Sequence, residues 1–515
     1  MDQHMNTSPH SSPSDHALAV LRELVAELGR GGGLVSPSVY DTATVLMFDV
    51  FPGARASIVP WLLDQQRSDG GWGLSSVPRA RDLPTLASLV ALHPYRELTP
   101  QVRRACEGGL AFLRNQAAHW ETSLPDDIPV GLELLMPRLL DRASSLGLGV
   151  DWGPYRALIA LGERRRALIG KARPAAGSAA SHSWEGWGSG PSPDLLDVSG
   201  GVGHSPAATA AWLHASRDKV GLAAARAAAR EYLLRASDAT EVGIPGVVPT
   251  VWPIGRFEQA WVLYALRAFD LLDHPRLGDV ARPQLLDLGA ALRPEGIGMS
   301  DAFTQDGDIT STVIATLGEL AAPRAIEALR RFERGGMFIT YANELQPSLT
   351  TNAHAMHALA SRGEKASEPA RYLLERQQPD GRWVGDKWHS SWLYTTSQVI
   401  LALSHEGQLP AVKRGLEALL RAQRGDGGWG AGGAPTAAET AYAVLALRAA
   451  RRNRELESMA RGAWRRGRDW LMSNHDIGAG QEDLRWIGKE LYCPARVDRA
   501  WVLGALLASQ PSWES

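Results

Sequence analysis

Asp306 and Asp308 stand two residues apart in Phe303-Thr304-Gln305-Asp306-Gly307-Asp308-Ile309-Thr310-Ser311-Thr312, just before an apolar run holding Val313, Ile314 and Leu317. Two readings of the pair are open. Asp and Thr are helix-capping residues, so the stretch could simply start a helix. Alternatively the pair lines a cavity wall. Burial raises a carboxyl pKa, and a second carboxylate raises one of the two further, so one carboxyl stays protonated at neutral pH and can serve as a general acid. Downstream, Asn352 and His354 fall in Pro347-Ser348-Leu349-Thr350-Thr351-Asn352-Ala353-His354. Cations follow: Lys387 and Lys489 are two of only six lysines, and Arg496 and Arg499 lie close behind Lys489. Charge-assisted bonds from such groups suit phosphate oxygens. No G-x-G-x-x-G and no phosphate loop with its Lys points to a nucleotide.

The elements that carry these residues are helices. Ala- and Leu-rich segments alternate with Gly/Pro turns: Thr85–Leu92, Ala207–Ala215, Ala260–Leu272, Ser311–Leu320, Ala353–Ala360, Ala437–Ala449 and Ala500–Ala508. A first helix runs from about Asp15 to Leu28, capped by Ser14 or Asp15 and ended by Gly29. Period-two β-branched runs are nearly absent, so the chain reads as all-α. One phrase repeats, Gln66-x-x-Asp69-Gly70-Gly71-Trp72-Gly73, returning at Gln377–Trp383 and at Gln423–Gly430. Each copy follows an apolar helix, where Gln can bond carbonyls, Asp can accept turn amides and Trp can cover the helix end. This predicts a clip between outer helices rather than a substrate contact.

The chain has 515 residues, 44% hydrophobic and 21% charged, with net charge -2. That is a globular composition with no field for nucleic acid. The first 14 residues read as a disordered tail, no run of about 18 apolar residues predicts a membrane span, and two cysteines fit a reducing cytoplasm.

The repeat resembles the QW motif of the terpene cyclases that include squalene–hopene cyclases and class II diterpene cyclases. Further phrases are similar to the class II diterpene cyclases in the family's order: Tyr40-Asp41-Thr42-Ala43, Gly131-Leu132-Glu133, Ser205-Pro206-Ala207, Phe257-Glu258-Gln259-Ala260-Trp261, Phe338-Ile339-Thr340-Tyr341, Asp386-Lys387-Trp388-His389 and Trp486-Ile487-Gly488-Lys489. The resemblance implies two α-barrels. Residues 1–35 carry the first helix that joins the β domain, 36–290 form an inserted γ barrel, and 291–515 complete the β barrel with the acid motif.

The resemblance also implies roles. The family's acid motif is DxDD, so Asp308 is expected as the general acid, Asp306 as its partner and Asn352 as the residue that hydrogen-bonds it. Ile309 stands where the motif's last Asp would be. His354 is expected as a satisfied buried histidine. Protonating an alkene makes a carbocation that water would quench, so the site must be dry and lined by π faces; Trp388, Trp392 and Tyr394 are the candidates. Lys387, Lys489 and Arg496 are expected on the diphosphate, with Mg²⁺ assisting through ligands the sequence does not identify. No DDxxD is present, and Asp126-Asp127-Ile128-Pro129 lacks the later acid, so the product should retain its diphosphate. The expected substrate is farnesyl diphosphate, closing to drimenyl diphosphate; Ile309 and an inward Trp392 shortening the pocket favour it. The alternative is geranylgeranyl diphosphate, giving a copalyl- or halimadienyl-type diphosphate. A non-catalytic helical scaffold is the reading from another class, and a zinc prenyltransferase subunit is disfavoured because neither Cys106 nor Cys493 has an Asp two residues earlier. A monomer or homodimer in the cytoplasm is expected, with a phosphatase or class I terpene synthase acting downstream.

Overall fold

In the computed structural model, residues 13–508 are described, apart from 75–76, 121–123, 125–127, 173, 343, 345 and 477–482. Most of the expected tail and the Asp126-Asp127 pair therefore lie outside the described residues.

Helices Gly255–Ala268, Gly307–Leu317, Leu349–Ala360, Trp392–His405, Ala437–Ala449 and Ala495–Leu507 each pack on the next, and the last returns to the first. This is a closed ring of six. Ala, Thr, Ser and Leu dominate these helices, and every residue of Gly307–Leu317 is buried. A helix with no polar face belongs in the core of a large protein. An outer layer covers the ring. Leu409–Ala422 and Arg454–Asn474 alternate apolar and charged faces, and Pro13–Ala26 fills the gap between Ala495–Leu507 and Gly278–Ala291.

The second barrel has a ring of five: Val39–Met47, Asp82–Leu92, Leu132–Ser145, Trp184–Trp187 and Pro206–Ser216. Its apolar clusters take residues from Val39 to Trp252, whereas the larger cluster takes Ala17–Val35 together with Val251–Leu507. The expected boundary at 290 is thus corrected to about 252. Gly255–Ala268 is buried from Phe257 to Leu266 because it is a stave of the larger ring. No single described helix is long and apolar enough to cross a membrane; only the bent pair Val39–Met47 and Pro52–Asp64 passes that test together, turning through 118°.

The repeated phrase has one geometry three times. Gln66, Gln377 and Gln423 donate to Ala105 O, Ala411 O and Ala463 O at 2.8–2.9 Å, each a carbonyl of the next outer helix. The indole N–H of Trp72, Trp383 and Trp429 reaches the carbonyl of Leu62, Leu373 and Leu419. Gly381 shows why glycine is required: φ is +92°, and a Cβ would lie 2.3 Å from Arg414 O.

Two buried ion pairs join distant parts of the chain. Arg496 donates to Glu258 at 2.9 Å, and Glu258 also accepts from the backbone of Gly29 and Leu34, so this clip ties the N-terminal segment to the larger ring. Lys489 is fully buried in the seam between barrels, bonded to Glu185 and Ser205, 3.9 Å from Asp41. The expectation that Lys489 and Arg496 hold a diphosphate is corrected: each ammonium or guanidinium already serves a buried carboxylate, which would be left uncompensated in low dielectric without it.

Glu490 sits in the same seam. Burial raises its carboxyl from 4.5 to about 8, and burial likewise lifts Asp41 to about 6 despite Lys489. A carboxyl with a raised folded-state pKa holds its proton better folded than unfolded. Its contribution is complete below about 4.5 and is lost as pH rises through 8. Thermal unfolding should therefore show a falling melting temperature between pH 5 and 8, and Glu490→Gln should flatten that fall. An equal slope in the variant would refute this assignment.

Candidate active site

Asp306 caps helix Gly307–Leu317, its Oδ1 accepting from Ile309 N at 2.7 Å. The helix-start reading of the acidic pair is met. The cap fixes the register that turns Asp308 into the ring, with its side chain 10% exposed. Gly307 is held down by its N–H on Thr340 O at 2.8 Å, and a Cβ there would strike Ile339 O at 2.3 Å.

Asp308 Oδ1 meets His354 Nδ1 at 2.7 Å, and His354 is fully buried. Behind it, His354 Nε2 lies 3.3 Å from Gln398 Oε1, which also accepts from Tyr264 OH at 3.5 Å. His354 is therefore a direct partner of Asp308, more than the bystander expected. Asn352 is corrected in the opposite sense. Its amide donates to Phe338 O and Ser348 O and accepts from Phe338 N, all at 2.8–2.9 Å. It pins hairpin Glu333–Arg334/Met337–Phe338 to helix Leu349–Ala360 and makes no bond to the acid. The two residues share that helix two positions apart, so about 200° of turn separates them.

The same arithmetic separates Trp392 from Tyr394. Tyr394 points inward and is 1% exposed, stacked on His389 at 4.1 Å and close to Tyr442, Trp486, Trp261 and Trp501 at 5.0–6.5 Å. Trp392 is half-buried on the outer side, with the Arg382 guanidinium 5.1 Å over its ring. It does not line the aromatic cluster, and the expected shortening of the pocket falls with it. Trp388 also lies off the cluster: its indole donates to Thr340 Oγ1 at 2.8 Å and its ring meets Tyr341 edge-on. Sequence reasoning missed Trp261, Tyr442, Trp486 and Trp501. The available signal was an aromatic residue flanked on both sides by apolar helix, or one inside a quoted family phrase, as Trp261 and Trp486 are.

Burial sets the protonation of this chamber. It raises Asp306 well above the usual carboxylate range. It raises the Tyr394 and Tyr442 phenols and drops His389 well below the ordinary imidazole range. A neutral, aromatic surface beside a carboxyl–imidazole pair suits transient positive charge on carbon.

Lys387 is paired with Glu344, whose Oε2 accepts from Thr340 N at 2.6 Å and whose charge reaches Asp306. It thus stands at the acid's end of the ring. A diphosphate lies at the far end of a polyene from the alkene being protonated, so this corrects the expected role of Lys387 as well. Among the described residues no group of three or more His, Cys, Asp or Glu could hold a metal ion. The Asp41–Glu185 seam holds the Lys489 ammonium.

Comparison with known proteins agrees with this geometry. The Squalene-hopene cyclase C-terminal domain matches residues 341–489. The chain is 44% identical over 507 residues to a (+)-kolavenyl diphosphate synthase of Herpetosiphon aurantiacus, covering 95% of this chain and 96% of that protein. It is 33% identical to an ent-copalyl diphosphate synthase of a Streptomyces species, covering 98% of each. The solved ent-copalyl diphosphate synthase of Streptomyces platensis superposes with a TM-score of 0.77 at 28% identity, over 97% of this chain and 99% of that one. A carboxyl–histidine pair inside an aromatic-lined six-helix ring, beside a second barrel, on a chain this similar to those synthases, places the protein in the class II terpene cyclase family.

Proposed function

We propose that this cyclase takes geranylgeranyl diphosphate, protonates its terminal alkene from Asp308 and releases a bicyclic C20 product with the diphosphate intact. The observation that supports it is Asp308, held at Oδ1 by His354 and set beside Tyr394, Trp261 and Trp486. Asp308 gives its carboxyl proton to the alkene carbon, and the carboxylate left behind stays 2.7 Å from His354 Nδ1 at its Oδ1. The tertiary cation is then attacked by the next double bond, and a second closure follows. A proton leaves a neighbouring carbon, so product and substrate are isomers.

Each ring face contributes about 2 kcal/mol or more to a desolvated cation. Folding the polyene in the chamber holds successive double bonds in contact, which replaces a costly search with a unimolecular step. The C20 chain is favoured over farnesyl diphosphate on two grounds. The similar proteins are named for kolavenyl and ent-copalyl diphosphates. The argument for a C15 pocket rested on Trp392, which packs outward under Arg382. Mg²⁺ belongs to the proposal only as a companion of the diphosphate, since it keeps several waters and takes phosphate oxygens readily.

Purified protein incubated separately with the C20 and C15 diphosphates, then with phosphatase, should yield a cyclic C20 alcohol by mass spectrometry. A cyclic C15 alcohol alone would restore the drimane reading, and no consumption of either would end both. Asp308→Asn should abolish product while leaving the melting temperature within a few degrees. His354→Ala should lower kcat about 10²-fold or more with little change in KM, because it positions the acid rather than the chain. Unchanged kcat would remove His354 from the mechanism.

A further inference from the structure

Every turnover leaves Asp308 one proton short, while the proton lost from the product departs from a different carbon. In the proposed reaction water is kept from the acid's face while substrate is bound, so the replacement proton must come from elsewhere. A cavity of about 440 Å³ opens among the last turns of the inner helices, lined by Tyr264, Arg267, Asp270, His357, Ser361 and His405. Asp308 lies in the first turn of its helix, at the opposite end of the ring.

Side chains span the interval. His357 Nδ1 is hydrogen-bonded to Tyr264 OH. Tyr264 OH and His354 Nε2 converge on Gln398 Oε1 at 3.5 and 3.3 Å, and His354 Nδ1 reaches Asp308 at 2.7 Å. Tyr264, His354 and Gln398 are all buried, and Tyr264 and His357 line both the cavity and this series. The His405 ring lies 5.5 Å from that of His357 at the cavity side. No other role in the reaction above calls on Tyr264, His357 or His405.

We propose that this cavity is the port through which Asp308 is reprotonated, with His357 and Tyr264 as the relay and Gln398 as the positioning residue. The inference rests on the protonation chemistry proposed above. One proton passes from cavity water to His357, and His357 Nδ1 hands a proton to the Tyr264 oxygen. The Tyr264 hydroxyl proton moves to a water drawn in beside Gln398, where the two longest links meet. Once Asp308 is spent, His354 keeps its one proton on Nδ1 facing the carboxylate, and that water takes the place of Gln398 at the bare Nε2, protonating it as Nδ1 releases its proton to Asp308 Oδ1. The net change is one proton gained by the carboxylate and one lost by cavity water, with no change of oxidation state.

Rapid-quench kinetics with enzyme in excess over substrate isolate the first turnover, which uses the proton already on Asp308. His357→Ala and Tyr264→Phe should keep the first-turnover rate within about twofold of wild type. Their steady-state kcat should fall tenfold or more, so that a burst of one product per enzyme appears under excess substrate. Added imidazole should restore kcat of His357→Ala, an effect that a loss of packing would not show. Equal slowing of the first and later turnovers, an unchanged kcat in both variants, or failure of imidazole to rescue would each overturn the port. Asp308→Asn is the separate control: it should lose the first turnover too, and if it does not, the protonation reading fails rather than the port.

Discussion

A carboxyl group that must give a proton to a hydrocarbon cannot sit in water, and the rest of this structure follows from that constraint. Water would ionise the acid and quench the cation it makes. Keeping water out takes a closed wall, and six helices buried along most of their length provide one. Such helices have no surface of their own to present, so an outer layer must cover them. The Gln and Trp of the repeated phrase fasten that layer at three places, each Gln amide donating to a carbonyl within the next outer helix. The active chemistry and the architecture are therefore one requirement met at two scales.

The same dryness governs where charge is allowed. Buried cations are costly unless a carboxylate answers them, and Arg496, Lys489 and Lys387 each face one: Glu258, Glu185 and Glu344. Charge is kept off the ring interior instead, where burial disfavours the charged forms of Asp306, Tyr394, Tyr442 and His389. A wall of neutral π faces attracts a passing cation without trapping it, as a fixed anion would.

Much of this was legible in the sequence, and what was missed shares a cause. Apolar periodicity located the inner helices but started several of them late. Ser311, Ala353 and Ala500 were expected as first residues, where the helices begin at Gly307, Leu349 and Ala495. The missing first turns carry Asp308, Thr350, Thr351 and Asn352. Polar residues on a fully buried turn break the apolar pattern at the point where the chemistry is placed. The acidic pair survived because two carboxylates so close together are informative by type alone. Asn352 and His354 were exchanged in importance because spacing along a helix was read without the direction of each side chain, and Trp392 and Tyr394 were grouped for the same reason. Partners distant in sequence, such as Glu258 with Arg496 or Gln398 with His354, leave no local pattern at all.

The chain departs from its family's acid motif at Ile309, and the structure gives that departure a physical account. Ile309 is 3% exposed and packs in the main apolar cluster of the larger barrel. A third carboxyl there would be desolvated beside two others, and Lys387, which stands at the acid's end of the ring, is already committed to Glu344. Its ionised form would repel the charge that develops on Asp308 once the proton has left. An alkyl group avoids that repulsion and adds apolar area at the helix entrance, a gain of about 25 cal/mol per Å² removed from water. The stabilisation of the spent carboxylate then falls to His354, an imidazole that can share a proton with Asp308 where a third Asp could only compete for one. Losing an acid from the motif moves the control of Asp308 from a neighbouring residue on its own helix to a partner on the next stave of the ring.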